Sequence, residues 1–187
     1  MKIFEKIFGD NFKKRASESN ATDAITAKER QLIIIKSYLK PILKKYGYQI
    51  KGQTWWKEQD DFFKIINLQN FSFNTKEEVY FCLNIGIGLK SQMKDVSKKP
   101  ANLNIQLREG AYLKDSENAH RNNIGYIIKP DTDIDKFGEQ FKAGFENEIL
   151  PTLEKLVSIE DCVRYYEQFP FWGDHLKKLL KAGETNE

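Results

Sequence analysis

Few side chains in this chain stand at spacings that do chemistry. In Asp131-Thr-Asp133-Ile-Asp135 the acids alternate as in a calcium loop, where carboxylates at the first, third and fifth positions gather one hard cation. Such a loop turns on glycine at its sixth position and closes with glutamate at its twelfth. Here those positions are Lys136 and Lys142, so the metal reading fails. The same residues suit a helix start, with Asp131 or Thr132 as the cap and negative charge near the positive end of the dipole. An Asp-x-Asp pair also serves metal-dependent sugar-nucleotide chemistry, but two residues do not carry that assignment. Asn84-Ile-Gly86-Ile-Gly88-Leu-Lys90-Ser91 faintly resembles a phosphate loop. Ser91 breaks the dinucleotide pattern, and the spacing to Lys90 is wrong for a P-loop. His120 and His175 are the only histidines, Cys82 and Cys162 the only cysteines, and no two of the four fall at metal-ligand spacing. No G-x-S-x-G or H-E-x-x-H occurs. No catalytic residue, metal or cofactor is expected, and the chain leans away from being an enzyme.

The residues with recognition chemistry are amides. Asn67, Gln69, Asn84 and Gln106, with Arg108, each alternate with apolar neighbours. Amides donate and accept, and a guanidinium can hold a carboxylate or phosphate. If their strands align, these five share one sheet face and form a candidate ligand- or partner-binding surface. The plain alternative is the solvated side of an antiparallel sheet.

The elements that must place them follow from periodicity. Val79, Phe81, Leu83, Ile85, Ile87 and Leu89 alternate with Tyr80, Cys82, Asn84, Gly86 and Gly88, the mark of a strand with one face in the core. Glycines inside it signal a bulge or a close backbone approach. Leu103, Ile105 and Leu107 repeat the alternation. Thr54 to Lys57 and Phe62 to Phe73 read as a hairpin, and Ile124 to Lys129 as a short fifth strand. In Trp55-Trp56 one ring goes to each face, which leaves one free to stack. Before the strands, Leu32, Ile35, Leu39, Ile42, Leu43 and Tyr46 predict a helix over roughly 24–46, broken or kinked at Pro41 and ended at Gly47. After them, Ile134, Phe137, Phe141, Phe145, Ile149, Leu153 and Leu156 form a helical stripe divided at Pro151. A helix follows from about Ile159 to Gln168, and a last one is capped at Gly173-Asp174. The order is α+β: an N-terminal helix, a mostly antiparallel sheet of about five strands, and C-terminal helices packed on one sheet face.

Over 187 residues, 40% are hydrophobic and 30% charged, which excludes a disordered chain, and no apolar run reaches the roughly 18 residues that cross a bilayer. Two cysteines suit a reduced, cytoplasmic compartment. The net charge of +3 implies no nucleic-acid partner. The charge is polarised, however. Residues 28–64 carry nine Lys or Arg against four acids, and residues 131–167 carry ten acids against four bases. Residues 1–22 stand apart as an amphipathic segment and linker ahead of a single α+β domain over 23–187 with a C-terminal helical extension. Ile3, Phe4, Ile7, Phe8 and Phe12 share a helical face, and Lys13-Lys14-Arg15 follows. Residues 1–15 could contact a membrane surface or a partner, or dock on their own domain.

Four pieces in order resemble a bacterial family known only as a domain of unknown function, number four-three-zero-four. They are Leu39-Lys-Pro-Ile-Leu-Lys-Lys-Tyr-Gly47-Tyr48, Ile65-Ile-Asn-Leu-Gln69, Phe81-Cys-Leu-Asn84-Ile-Gly86 and Ile149-Leu-Pro151-Thr-Leu. The resemblance spans roughly Lys28 to Val157. It implies the fold and no established activity, and it includes Gln69, Asn84 and Gly86.

Together these features point to a non-enzymatic protein-binding module of the immunity or adaptor kind, with another protein as partner. A small-ligand binder or enzyme using the polar sheet face, and a peripheral membrane protein tethered by its first residues, are the alternatives.

Overall fold

The computed structural model describes residues 25–93, 103–113 and 125–184. The expected N-terminal amphipathic segment, with Ile3, Phe4, Ile7, Phe8 and Phe12, and the loop holding His120 lie outside these residues.

Helix α1 opens with a capping box: the Thr26 hydroxyl accepts from the Glu29 amide, and the Glu29 carboxylate accepts from the Thr26 amide. It runs as Ala27–Ile34, passes through a π-helical turn at Ile35–Leu39 and finishes as Lys40–Lys45. Of the kink or break expected at Pro41, the break is absent. A proline clashes with the carbonyl four residues back, and the wider turn, in which the Lys40 amide reaches the Ile35 carbonyl, relieves that clash without ending the helix. The π turn also shifts the apolar stripe, which leaves Leu32 exposed and buries Ile33, Ile34 and Tyr38. Gly47, at φ 83°, ends α1, with its amide on Lys44 O at 3.1 Å and the Tyr48 amide on Leu43 O at 2.9 Å.

The strands are β1 (Gln49–Lys51), β2 (Thr54–Glu58), β3 (Phe62–Asn70), β4 (Val79–Leu89), β5 (Ile105–Arg108) and β6 (Tyr126–Ile128). β1 is an addition to the sequence expectation: three exposed residues carry no alternation, and the turn at Gly52 pairs them with β2. Every pairing among the described strands is antiparallel. The order is β1-β2-β3-β4-β5, and β6 also pairs with β4. β3 lies along the whole of one edge of β4, so β5 and β6 share its other edge. β5 takes Asn84 to Ile87 and β6 takes Val79 to Phe81.

Helix α2 runs as Ile134–Gly144, a π-helical turn Phe145–Ile149 and Leu150–Glu154, so Pro151, like Pro41, follows a widened turn instead of dividing the helix. Its cap is Asp133, which accepts from the Lys136 amide, rather than Asp131 or Thr132. The Thr132 hydroxyl is engaged by the Lys129 amide at 2.8 Å. Helix α3 is Ile159–Tyr166, closed by a Ser158–Asp161 capping box. Helix α4 is Pro170–Glu184 and starts on Pro170, with Gly173 inside it. Gly173 serves close packing and not a cap, because a Cβ there would stand 2.9 Å from the Tyr166 carbonyl oxygen.

All four helices contribute to one apolar core with one face of the sheet. Phe81, Leu83, Ile85 and Ile87 of β4 meet Ile34 and Leu39 of α1, Phe145 and Leu153 of α2, Tyr166 of α3 and Leu176 of α4. α1 and α2 touch where the Tyr38 ring lies on Gly138, whose Cβ would overlap it, and the Tyr38 hydroxyl donates to Asp135 at 3.1 Å. Among the described residues the result is two layers, with the helices on one side of the sheet.

Candidate functional site

The sheet face turned away from the described helices has three zones, set by strand parity. At one end Trp56, Phe63 and Ile65 are buried with Met93 and Leu103 packed on them. The expectation that one tryptophan is free to stack is therefore corrected: Trp55 enters the main core, Trp56 enters this second cluster, and both are buried. At the centre lie the amides. Asn67 stands opposite both Thr54 and Asn84, Gln69 opposite Cys82, Asn84 opposite Arg108, and Gly86 opposite Gln106. All five candidate residues thus share this face. Gly86 is glycine because a Cβ would overlap the Ile105 carbonyl, so β5 can approach and present Gln106 and Arg108 there.

Side-chain bonds join three of the five directly. Gln69 Oε1 accepts from Asn84 Nδ2 at 3.0 Å and from Arg108 Nη1 at 3.4 Å. Asn67 instead donates to the Thr54 hydroxyl at 2.9 Å. Gln106 is exposed and faces the same way without a bond to the other four. The Arg108 guanidinium also contacts the Cys82 thiol and stands 5.9 Å from the Phe71 ring centre.

The third zone is aromatic. Phe71 meets Phe73 at 5.4 Å and Phe73 meets Tyr80 at 5.0 Å between ring centres, and Phe73 is 59% exposed. The β3–β4 connection that carries Phe73 is tied down. Asn74 accepts from the Tyr80 amide at 2.8 Å and donates to its carbonyl at 2.9 Å, and Thr75 accepts from the Glu77 and Glu78 amides. Phe71 and Phe73 escaped the sequence reading, although the parity of β3 continued past Gln69 points Phe71 to the face of Asn67.

Two buried charged groups were also not foreseen. Glu109 follows β5 and turns its carboxylate into the gap between β5 and β6, where it accepts the Leu83 amide at 2.9 Å. Burial pushes its carboxyl up to about 7, against the pull of backbone amides and Arg108. Lys64 shares the core face of β3 with Phe62 and Ile66 and is 1% exposed. Burial lowers its amine, and Glu154 pulls it partly back. Glu154 stands 3.8 Å from Lys64 Nζ, an ion pair without a hydrogen bond, and accepts from Lys57 at 2.5 Å. Burial pushes the nearby Cys162 thiol up to about 12, which makes it a poor nucleophile.

These pairs give the charge polarity an internal use. Lys45 with Glu146, and Lys57 and Lys64 with Glu154, join the basic part of the chain to the acidic helix α2. Among the described residues no cluster of His, Cys, Asp or Glu could hold a metal ion, and no helix is long and apolar enough to cross a membrane.

The architecture defines a two-layer α+β protein with an amide-and-arginine sheet face. Residues 39–155, well over half of the chain, match the family described as Domain of unknown function (DUF4304), and the chain belongs to that family. The match takes in the whole sheet and α2 and leaves α3 and α4 outside it. No curated protein and no solved structure matches the chain.

Proposed function

We propose that the protein is a non-enzymatic binding module that recognises another protein through the sheet face turned away from its described helices. The observation that carries this reading is the junction of Arg108 with the Phe71–Phe73–Tyr80 cluster. Arginine beside partly exposed aromatic rings is a composition that concentrates binding energy in protein interfaces, because it joins a large apolar surface to the directed donors of the guanidinium. The amides support it as an adaptable polar surround. Gln69 bonds Asn84 and Arg108, and Asn67 bonds Thr54, instead of converging on a vacant centre, which favours a protein surface over a small-ligand pocket. Lys45, Lys57 and Lys64 pair internally with Glu146 and Glu154, which gives part of the charge opposition a structural use and shifts weight to this face.

Co-purification from the organism of origin tests the proposal. The unaltered chain is compared with a variant carrying Arg108→Ala and Phe73→Ala, after both are shown to melt at the same temperature. A protein retained reproducibly by the first and lost from the second is expected. Equal retention by both, or none by either, contradicts the proposal.

A further inference from the structure

Resting on that reading of the face, we infer that the partner segment is acidic: it presents one aspartate or glutamate to Arg108 with an apolar side chain next to it against Phe73. Three observations converge. First, Arg108 has no carboxylate partner among the described residues. Its sequence neighbour Glu109 turns inward to the Leu83 amide. Glu78, at the aromatic edge, is held by Lys129 at 3.0 Å and by the Tyr80 hydroxyl at 2.8 Å. Glu58, across the face, is held by Lys90 at 2.7 Å. Glu58, Glu78 and Glu109 are therefore engaged elsewhere, while Arg108 forms no ion pair among the described residues.

Second, the guanidinium already has neighbours on this face before any partner arrives. Gln69 Oε1 and the Cys82 thiol both stand against Nη1 and the Phe71 ring centre lies 5.9 Å away, which leaves the other guanidinium nitrogens without a bond among the described residues. A fork held in place loses less freedom when a carboxylate takes two of its N–H groups. Third, Phe73 lies one ring further out, against Phe71, on a connection braced by Asn74, so an apolar neighbour of the acid finds a ready contact. One guanidinium neutralises one carboxylate. A phosphate dianion would keep an uncompensated charge here, since Lys129 is already occupied. The chemistry therefore fits an acidic peptide rather than a phosphorylated one.

The full chain, labelled with nitrogen-15, is titrated with N-acetyl-Asp-Phe-amide, N-acetyl-Asn-Phe-amide and phenyl phosphate. The readout is the Arg108 Nε–Hε signal with the side-chain amides of Gln69 and Asn84. The Asp peptide should move all three saturably and bind about tenfold more tightly than the Asn peptide, a difference that salt reduces. Arg108→Gln should abolish the preference with the backbone spectrum otherwise unchanged. Equal effects of the two peptides, a stronger response to phenyl phosphate, or no response at Arg108 overturns the inference. If Arg108→Ala with Phe73→Ala still loses a co-purified partner while the peptides show no preference, the surface stands and its acidic specificity falls. If neither experiment responds, both fall.

Discussion

The Glu109 carboxylate occupies the place of a missing strand partner, accepting the Leu83 amide where β5 has ended and β6 has not yet begun. An unpaired buried amide at that gap would weaken the central strand, on which the whole open face depends. A carboxylate does the work at a cost, because burial pushes its carboxyl from 4.5 up to about 7.

That shift sets a pH dependence. Below about pH 4.5 the group is protonated in both the folded and the unfolded chain. Between that value and about 7 the folded chain holds a proton that the unfolded chain has released, so stability falls as pH rises through the window, by on the order of 3 kcal/mol. Urea midpoints at about pH 5 and about pH 8 measure it. Glu109→Gln, which can still accept the Leu83 amide, should flatten this component. Equal slopes for variant and parent would assign the dependence to other groups.

The contact of Tyr38 with Gly138 predicts a contrast between two helical glycines. Gly138→Ala drives a methyl group into the Tyr38 ring, which is wedged between α1 and α2, and should cost about 1–3 kcal/mol. Gly144→Ala brings its methyl only to 3.2 Å from Leu113 Cδ2, the end of a flexible side chain. There the gain in helix propensity, about 1 kcal/mol, should leave the protein unchanged or slightly more stable. Thermal melts of the two variants decide; comparable losses would contradict the packing described.

Lys64 and Glu154 predict an asymmetry of another kind. Removing the acid with Glu154→Gln leaves a buried ammonium without its counter-charge and should cost about 2–3 kcal/mol. Removing the base with Lys64→Met leaves Glu154 paired with the half-buried Lys57 and should cost little, or stabilise. Denaturant unfolding of the two variants compares them, and a larger loss in Lys64→Met would contradict the account.

The sequence made the frame legible where one face is dry. β4 alternates over eleven residues, Gly86 marked a close approach, and Gly47 marked the end of α1. Placement of Asn67, Gln69, Asn84, Gln106 and Arg108 on one face follows from that same period of two. Lys64 was equally open to parity, since it falls in step with Phe62 and Ile66. Other features had no local signal. β1 is short and wet, and it exists because β2 offers an edge. The π turns before Pro41 and Pro151 preserve helices that a proline rule ends, because packing on the sheet outweighs the local penalty. The role of Glu109 depends on a gap between two strands that only the folded sheet creates.

Whether the amide-and-arginine face is the working surface is tested most directly by photo-crosslinking in living cells of the organism of origin. A photoreactive residue replaces Gln106, which is exposed on that face, or Lys155, which is exposed just beyond α2. The account predicts a discrete protein adduct from position 106 and none from position 155. Adducts from 155 alone, or the same adducts from both positions, would contradict it.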